Sequence, residues 1–407
     1  MKKISLADIL DDVFTGIDIT PTQYKKAVSH YNAVSEYLFK GKVGNDIYPQ
    51  GSFALGTVVR PYREGKDADY DIDIVCQSDK TKEESGPKEI KQQVKDCLLT
   101  SQVYSKLLNK KEGRKCWTLN YAKDSSGVGF HLDILPCICE EQSDINRIVL
   151  EGVDPHYAEH AIAITDKNFD SGLYHWSTGN ARGYANWFWD INASYLDVVS
   201  YRQKDYLVLE NHYDSIEDVP ELLLRSPLQR VIQLLKRHRD CRFSGMKNES
   251  DKPISIIITT LATRIAESRV NYNISAVELL SIVIDEITQR NTLLQDNFHQ
   301  YNRNVSAFFT RTDRGWNIPN PVNPEENFAN RWGENNNAKA KAFFQWVSWL
   351  KEDLLIIDKE SGAVFEKLQQ CLGKDLIKDV YSKKKLNPYQ SPNIFNSTKD
   401  TPKPYGI

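Results

Sequence analysis

The run Tyr70-Asp71-Ile72-Asp73-Ile74-Val75-Cys76 constrains this chain more than any other segment. Its apolar residues belong in a core, yet two carboxylates alternate with them. Residues i and i+2 of an extended strand face the same side, roughly 6.5–7 Å apart along the chain. Asp71 and Asp73 therefore share one face, and Ile72 and Ile74 share the other. A second apolar run, Phe130-His131-Leu132-Asp133-Ile134-Leu135, carries Asp133 in the same setting. An uncompensated buried carboxylate costs on the order of several kcal/mol, so acids on sheet strands call for a positive partner. A pair of Mg²⁺ ions (or Mn²⁺) about 3.5–4 Å apart supplies it in in-line phosphoryl transfer.

The acids Asp67, Asp69, Asp71 and Asp73 all have odd numbers, so a fully extended chain would align all four. Asp67 and Asp69 flank Ala68 and follow Gly65-Lys66, which reads as loop. Asp71 and Asp73 have the apolar neighbours and are taken, with Asp133, as the catalytic and metal-binding set. His131 falls on the same face as Asp133 and is expected to hydrogen-bond behind the metal ligands. Upstream, Gly51-Ser52 offers a cradle. Glycine lets backbone N–H groups approach phosphate oxygens, and the serine hydroxyl adds a donor.

Around these motifs the pattern is α/β in front and helical behind. Thr20, Pro21 and Gln23 begin a helix over 21–39 with Tyr24, Ala27, Val28, Tyr31, Val34 and Leu38 on one face. A helix to about residue 108 has Ile90, Val94, Cys97, Leu98 and Val103 as core candidates. Strands are expected over 116–122 and 128–138, joined by a polar turn at 123–127. Helices follow at 227–239, 255–268, 275–290 and 338–355, with an irregular Pro/Asn-rich loop at 317–327. The division this suggests is a core over 1–205, a helical lobe over 206–382 and a polar tail over 383–407.

Composition narrows the function. The 52 basic and 55 acidic residues leave a net charge of −3, which argues against a basic coat for duplex nucleic acid. No apolar stretch is long enough to span a membrane, and the start lacks the apolar region of a signal peptide, so a cytoplasmic protein is expected. The seven cysteines contain no CxxC pair and read as reduced thiols. Lys236-Arg237-His238-Arg239 is read as a basic run at a helix end. Its members other than Lys236 are expected to meet the helix dipole and solvent. The aromatic segment 176–189 is read as packing between the lobes.

Taken together, Gln50-Gly51-Ser52-Phe53-Ala54-Leu55-Gly56-Thr57 and the strand Tyr70–Cys76 resemble the bacterial cGAS/DncV-like nucleotidyltransferases (CD-NTases) of the DNA polymerase β-like superfamily. The segments Leu228–Asp240, Lys252-Pro253-Ile254-Ser255, Asn320–Phe328 and Arg331-Trp332 continue the resemblance, which spans about residues 48–332. It implies an α+β fold: a polymerase β-like core with a mixed sheet, a helical C-terminal lobe, and an active site in the cleft between them. It further implies that Asp71, Asp73 and Asp133 are the metal triad, and that Gln50, Gly51, Ser52, Lys236 and Ser255 hold a donor nucleoside triphosphate, ATP or GTP among others. The implied product is a cyclic di- or trinucleotide messenger in anti-phage defence. The polar tail is expected to be disordered, and the resemblance implies a further use for it in C-terminal conjugation, with regulatory protein partners. The loop between Ser52 and Asp71 is longer than in many polymerase β-like proteins, and its 62–69 portion has no assigned role. The competing readings are a transferase making linear products or using an RNA or small-molecule acceptor, and a silent nucleotide-binding sensor.

Overall fold

The computed structural model describes residues 6–122, 129–200, 225–269, 271–295, 309–355 and 361–384. The expected turn at 123–127, the boundary at 205 and nearly all of the tail lie outside these residues.

The helix Pro21–Lys40 starts as its capping sequence requires. Thr20 Oγ1 accepts from Gln23 N at 3.2 Å, and Gln23 Oε1 accepts from Thr20 N at 3.0 Å. Its face of Ala27, Tyr31, Val34 and Leu38 packs in one core with Ile72 and Ile74. The strands are β1 (Asp46–Gln50), the two-residue pair β2 (Tyr62–Arg63) and β3 (Lys66–Asp67), β4 (Tyr70–Ser78), β5 (Trp117–Tyr121), β6 (Phe130–Cys139), β7 (Ile162–Lys167) and β8 (Tyr174–Gly179). Six of them form a mixed sheet in the order β1-β4-β6-β7-β8, with β5 also paired to β6. The β4–β6 pair is parallel and the others are antiparallel.

Pleating sorts β4 as the alternation predicts. Tyr70, Ile72, Ile74 and Cys76 enter the core beneath the helices Pro21–Lys40 and Pro87–Thr100. Val75, on the face of Asp71 and Asp73, joins Tyr48, Leu135, Cys137, Ile162 and Ile164 in a second apolar cluster.

The helices Pro227–Phe243, Ser255–Glu267, Ala276–Thr288, Glu334–Leu350, Ser361–Leu372 and Lys374–Lys383 make the back half. Leu10, Val13 and Phe14 from Leu6–Gly16, and Tyr184, Phe188 and Tyr195 from Ala181–Ser200, share its core. The division into 1–205 and 206–382 is kept as a proposal. All seven cysteines are free thiols. No helix among the described residues is long and apolar enough to cross a membrane.

Two local expectations are corrected. The helix expected to reach residue 108 stops at Thr100, because Ser101 Oγ accepts from the N–H groups of Val103 and Tyr104 and starts a new short helix, Tyr104–Leu107. Val103 is consequently 61% exposed and not in the core. The segment read as irregular is a hairpin, β11 (Pro319–Asn320) with β12 (Asn323–Asn327), preceded by the pair β9 (Thr310–Thr312) and β10 (Gly315–Asn317). Asn320 Oδ1 accepts from Val322 N, so an asparagine supplies turn chemistry that strand periodicity does not reveal.

Candidate active site

The sheet brings the three predicted aspartates onto one face. In the parallel β4–β6 register Asp73 lies opposite Asp133, and Asp71 lies opposite His131. Asp71 is open to solvent, with its side chain 64% exposed. Asp133 Oδ1 accepts from Thr118 Oγ1 at 2.5 Å, across the β5–β6 pair. Burial, and then the charges of Asp133 and Asp71, push the Asp73 carboxyl up to about 8, against the pull of Lys236. Burial raises Asp133 as well, although Thr118 opposes it. These are hard oxygen donors whose mutual repulsion the chain itself does not fully neutralise, and that donor set fits a divalent cation.

Gly51 sits directly over Asp73. Gln50 is opposite Asp73 in the β1–β4 register, and the chain then turns through Gly51 with φ +63°. A Cβ at Gly51 would stand 2.6 Å from Asp73 Oδ2. The backbone of the Gly-Ser turn thus closes on the carboxylate as only glycine permits. Ser52 follows in the short helix Gly51–Ala54, and its hydroxyl makes no hydrogen bond among the described residues.

Lys236 comes from the other half of the molecule to the same place. Its Nζ donates to Thr57 Oγ1 at 3.0 Å and to Thr57 O at 3.3 Å. Burial and the nearby Arg239 push it down to about 7, against Asp240 and Asp73. One face of its helix repeats the contact. Gln229 donates to Leu55 O at 2.9 Å, Gln233 to Val58 O at 2.6 Å and Arg237 to Arg60 O at 2.8 Å. The turn after Ser52 is therefore held from behind by a row of side chains from Pro227–Phe243. Ser255 lies farther along, where Arg239 Nη1 donates to its hydroxyl at 3.0 Å.

The basic run departs from expectation. Lys236, Arg237, His238 and Arg239 lie inside the helix, not at its end, and are all buried. Arg237 pairs with Asp67 at 2.8 Å and lies over the Tyr62 ring, 4.6 Å from its centroid. Trp346 Nε1 donates to His238 Nδ1, so Nε2 carries the proton and donates to Asp353 at 2.9 Å. Arg242 also donates to Asp353. Lys236, Arg237 and Arg242 each meet a carboxylate or carbonyl brought from a distant segment, which local charge counting does not see, whereas Arg239 pairs with the adjacent Asp240 and with Pro253 O.

The loop left without a role is organised by these partners. Asp67 is occupied by Arg60 and Arg237, and Asp69 accepts from Gly129 N at 2.8 Å. Of the four aligned acids, Asp71 and Asp73 remain for the site. His131 stands beside Asp71 at 3.6 Å and Asp69 at 3.8 Å; its pairing with Asp71 raises its pKa. Thr57 and Thr118 were missed in the sequence. Thr57 stands within the quoted Gly-Ser motif, whereas nothing local marks Thr118.

Comparison with known proteins agrees with this geometry. Residues 45–136 match the family described as cyclic GMP-AMP synthase DncV-like, nucleotidyltransferase domain. A c-di-GMP synthase from Roseivirga ehrenbergii is 28% identical over 337 residues, covering 81% of this chain and 74% of that protein. The structure of the Bradyrhizobium diazoefficiens CD-NTase CdnG in complex with GTP superposes with a TM-score of 0.64 at 20% identity, over 93% of this chain and 99% of that one. The E. coli MS115-1 CdnC:HORMA-deltaN complex gives a TM-score of 0.54 at 13% identity, over 91% and 98%. The fold and these matches define a nucleotidyltransferase. Over most of its length the chain is similar to bacterial cGAS/DncV-like nucleotidyltransferases, and residues 45–136 match that family's nucleotidyltransferase domain.

Proposed function

We propose that this enzyme joins nucleoside triphosphates, ATP or GTP among them, into a cyclic di- or trinucleotide that serves as a messenger in bacterial anti-phage defence. The observation that carries the reading is the convergence of Asp71, Asp73 and Asp133 with the Gly51-Ser52 turn and Lys236. The relatives named for cyclic dinucleotide synthesis support the product class.

Asp71, Asp73 and Asp133 would hold two Mg²⁺ ions. When bound, the metal supplies charge neutralisation for the attacking and leaving oxygens of the transfer. The protein's own groups do the rest. The Gly51 backbone and the Ser52 hydroxyl bind the donor triphosphate. Lys236 is a buried point charge for a phosphate oxygen, and Ser255 adds a hydroxyl. The acceptor ribose oxygen bonds to the α-phosphorus as its proton passes to solvent and pyrophosphate leaves; each further transfer adds one phosphodiester, and the last closes the ring.

A HORMA complex of a structural relative makes a regulatory protein partner part of the proposal. The deciding assay is purified enzyme with mixed nucleoside triphosphates and Mg²⁺. Pyrophosphate and a phosphatase-resistant product are expected. Linear products only, or binding without turnover, would replace this reading with one of its rivals.

A further inference from the structure

The acid-bearing face of the sheet continues beyond the triad to a second polar group. Cys137, on the face of Asp133, pairs in register with Ile164, and Ile164 pairs with Ser177 on β8. Directly paired residues share a face, so Ser177 looks to the same side as the aspartates. Lys115, adjacent to the strand that supplies Thr118, reaches across and donates to Ser177 Oγ at 2.9 Å.

The hairpin β11–β12 closes over this edge. Asn323 Nδ2 donates to Thr178 Oγ1 at 2.7 Å, and Asn180 Nδ2 donates to Val322 O at 3.2 Å. The hairpin sets Glu326 in the electrostatic field of Lys115. Glu326 Oε2 accepts from Asn320 Nδ2 at 2.8 Å, and Asn320 is itself fixed by its contact with Val322 N. Glu326 Oε1 takes no hydrogen bond among the described residues. Burial pushes this carboxyl up, while Asn320 and Lys115 pull it down.

We propose that Glu326 and Lys115 form a nucleobase-reading site for guanine, which selects GTP at the active site described above. The chemistry is complementary. Guanine places two donors, N1–H and the N2 amino group, beside the O6 acceptor. A carboxylate with a free oxygen receives the donors, and an ammonium with two unused protons serves O6. Adenine offers an acceptor at N1 where guanine offers a donor, and so leaves the carboxylate facing a lone pair. Asn320 fixes the Glu326 rotamer and Ser177 fixes Lys115, so the pair is set before the base arrives.

The inference rests on the nucleotidyltransferase reading of the site, and the test separates the two. Full-length parent, Glu326→Gln and Lys115→Met are assayed with GTP, ATP and ITP, which keeps O6 and N1–H but lacks the N2 amino group. Calorimetric binding of the same three nucleotides is measured alongside turnover. The parent is expected to prefer GTP over both. Glu326→Gln should lose the preference for GTP over ITP by about tenfold, carried in KM, at parental melting temperature. Lys115→Met should weaken GTP and ITP together. A parental GTP:ITP:ATP ratio in Glu326→Gln, or a parent that prefers ATP, overturns the proposal; if Glu326→Gln does not fold, an unaltered GTP:ATP ratio in Lys115→Met does so. Absence of turnover by the parent with any nucleotide overturns the synthase reading, while the binding ratios still decide the role of Glu326.

Discussion

Lys236 Nζ and Thr57 Oγ1, 179 residues apart in sequence, lie 3.0 Å from each other and join the helical half of the molecule to the Gly-Ser turn. Thr57 N in turn donates to Ser52 O at 2.9 Å. The lysine that would contact phosphate and the serine that would cradle it are thus two hydrogen bonds apart.

That linkage predicts graded losses. Lys236→Met should lower kcat/KM for pyrophosphate release by about 100-fold or more, because a charged phosphate contact is removed from a buried site. Thr57→Val keeps the charge and the carbonyl contact but removes the hydroxyl partner of the ammonium, and should cost less. Steady-state pyrophosphate release on both variants checks the order.

The acids repel one another in the absence of a cation, so their effect on stability and on activity should diverge. Asp71→Asn with Asp73→Asn is expected to abolish product. In EDTA the same variant should melt no lower than the parent, since charges that burial and neighbours disfavour are gone. Mg²⁺ should raise the melting temperature of the parent and leave that of the variant unmoved. Product from the double variant would refute the metal assignment.

Gly51→Ala tests the approach of the turn to Asp73. The positive φ and the 2.6 Å approach to Asp73 Oδ2 both oppose a methyl group. A loss of about 1–3 kcal/mol in urea unfolding is expected, together with a fall in activity. Ser52→Ala, which adds no strain, should lower activity with parental stability.

His238 and Asp353 give stability a pH dependence of definite sign. Burial pushes His238 below its ordinary value of 6.5, although Asp353 opposes the shift and Arg242 reinforces it. The unfolded chain therefore binds the imidazole proton more readily, and stability falls as pH drops below about 6.5. Asp353 adds to the loss at lower pH: burial would raise it, but hydrogen bonds from His238 and Arg242 hold it below its ordinary value. Lys367, 4.0 Å from Asp353, adds a further positive charge. Urea unfolding at pH 7.5, 6.5 and 5.5 should show the decline, and His238→Gln should flatten its upper part.

Periodicity was legible wherever one residue's environment is set by its neighbours in sequence. The capping box at Thr20, the pleat that separates Ile72 from Asp73, and the helix over 255–268 are all of this kind. The left-handed residues Asn335, Asn336 and Asn337 also agree with a helix whose regular part begins at 338. The hairpin β11–β12 was not legible, because asparagine side chains rather than alternation build its turn. Arg237 and the 62–69 loop were misread or unread for a related reason: their partners lie far away in the chain.

The sequence alone determined that two carboxylates share a strand face, that a third waits on another strand, and that a glycine-serine turn precedes them. Pleating and backbone freedom are local properties, so local order suffices for that much. Only the tertiary structure decided that Asp73 faces Asp133 across a parallel pair, and that Asp67 is spent on Arg237 while Asp71 stays open. It also decided that Lys236 arrives from the helical half to meet Thr57. Those outcomes depend on which strands pair and which helix packs behind the turn, and long-range contacts of that kind are written in no single stretch of the chain.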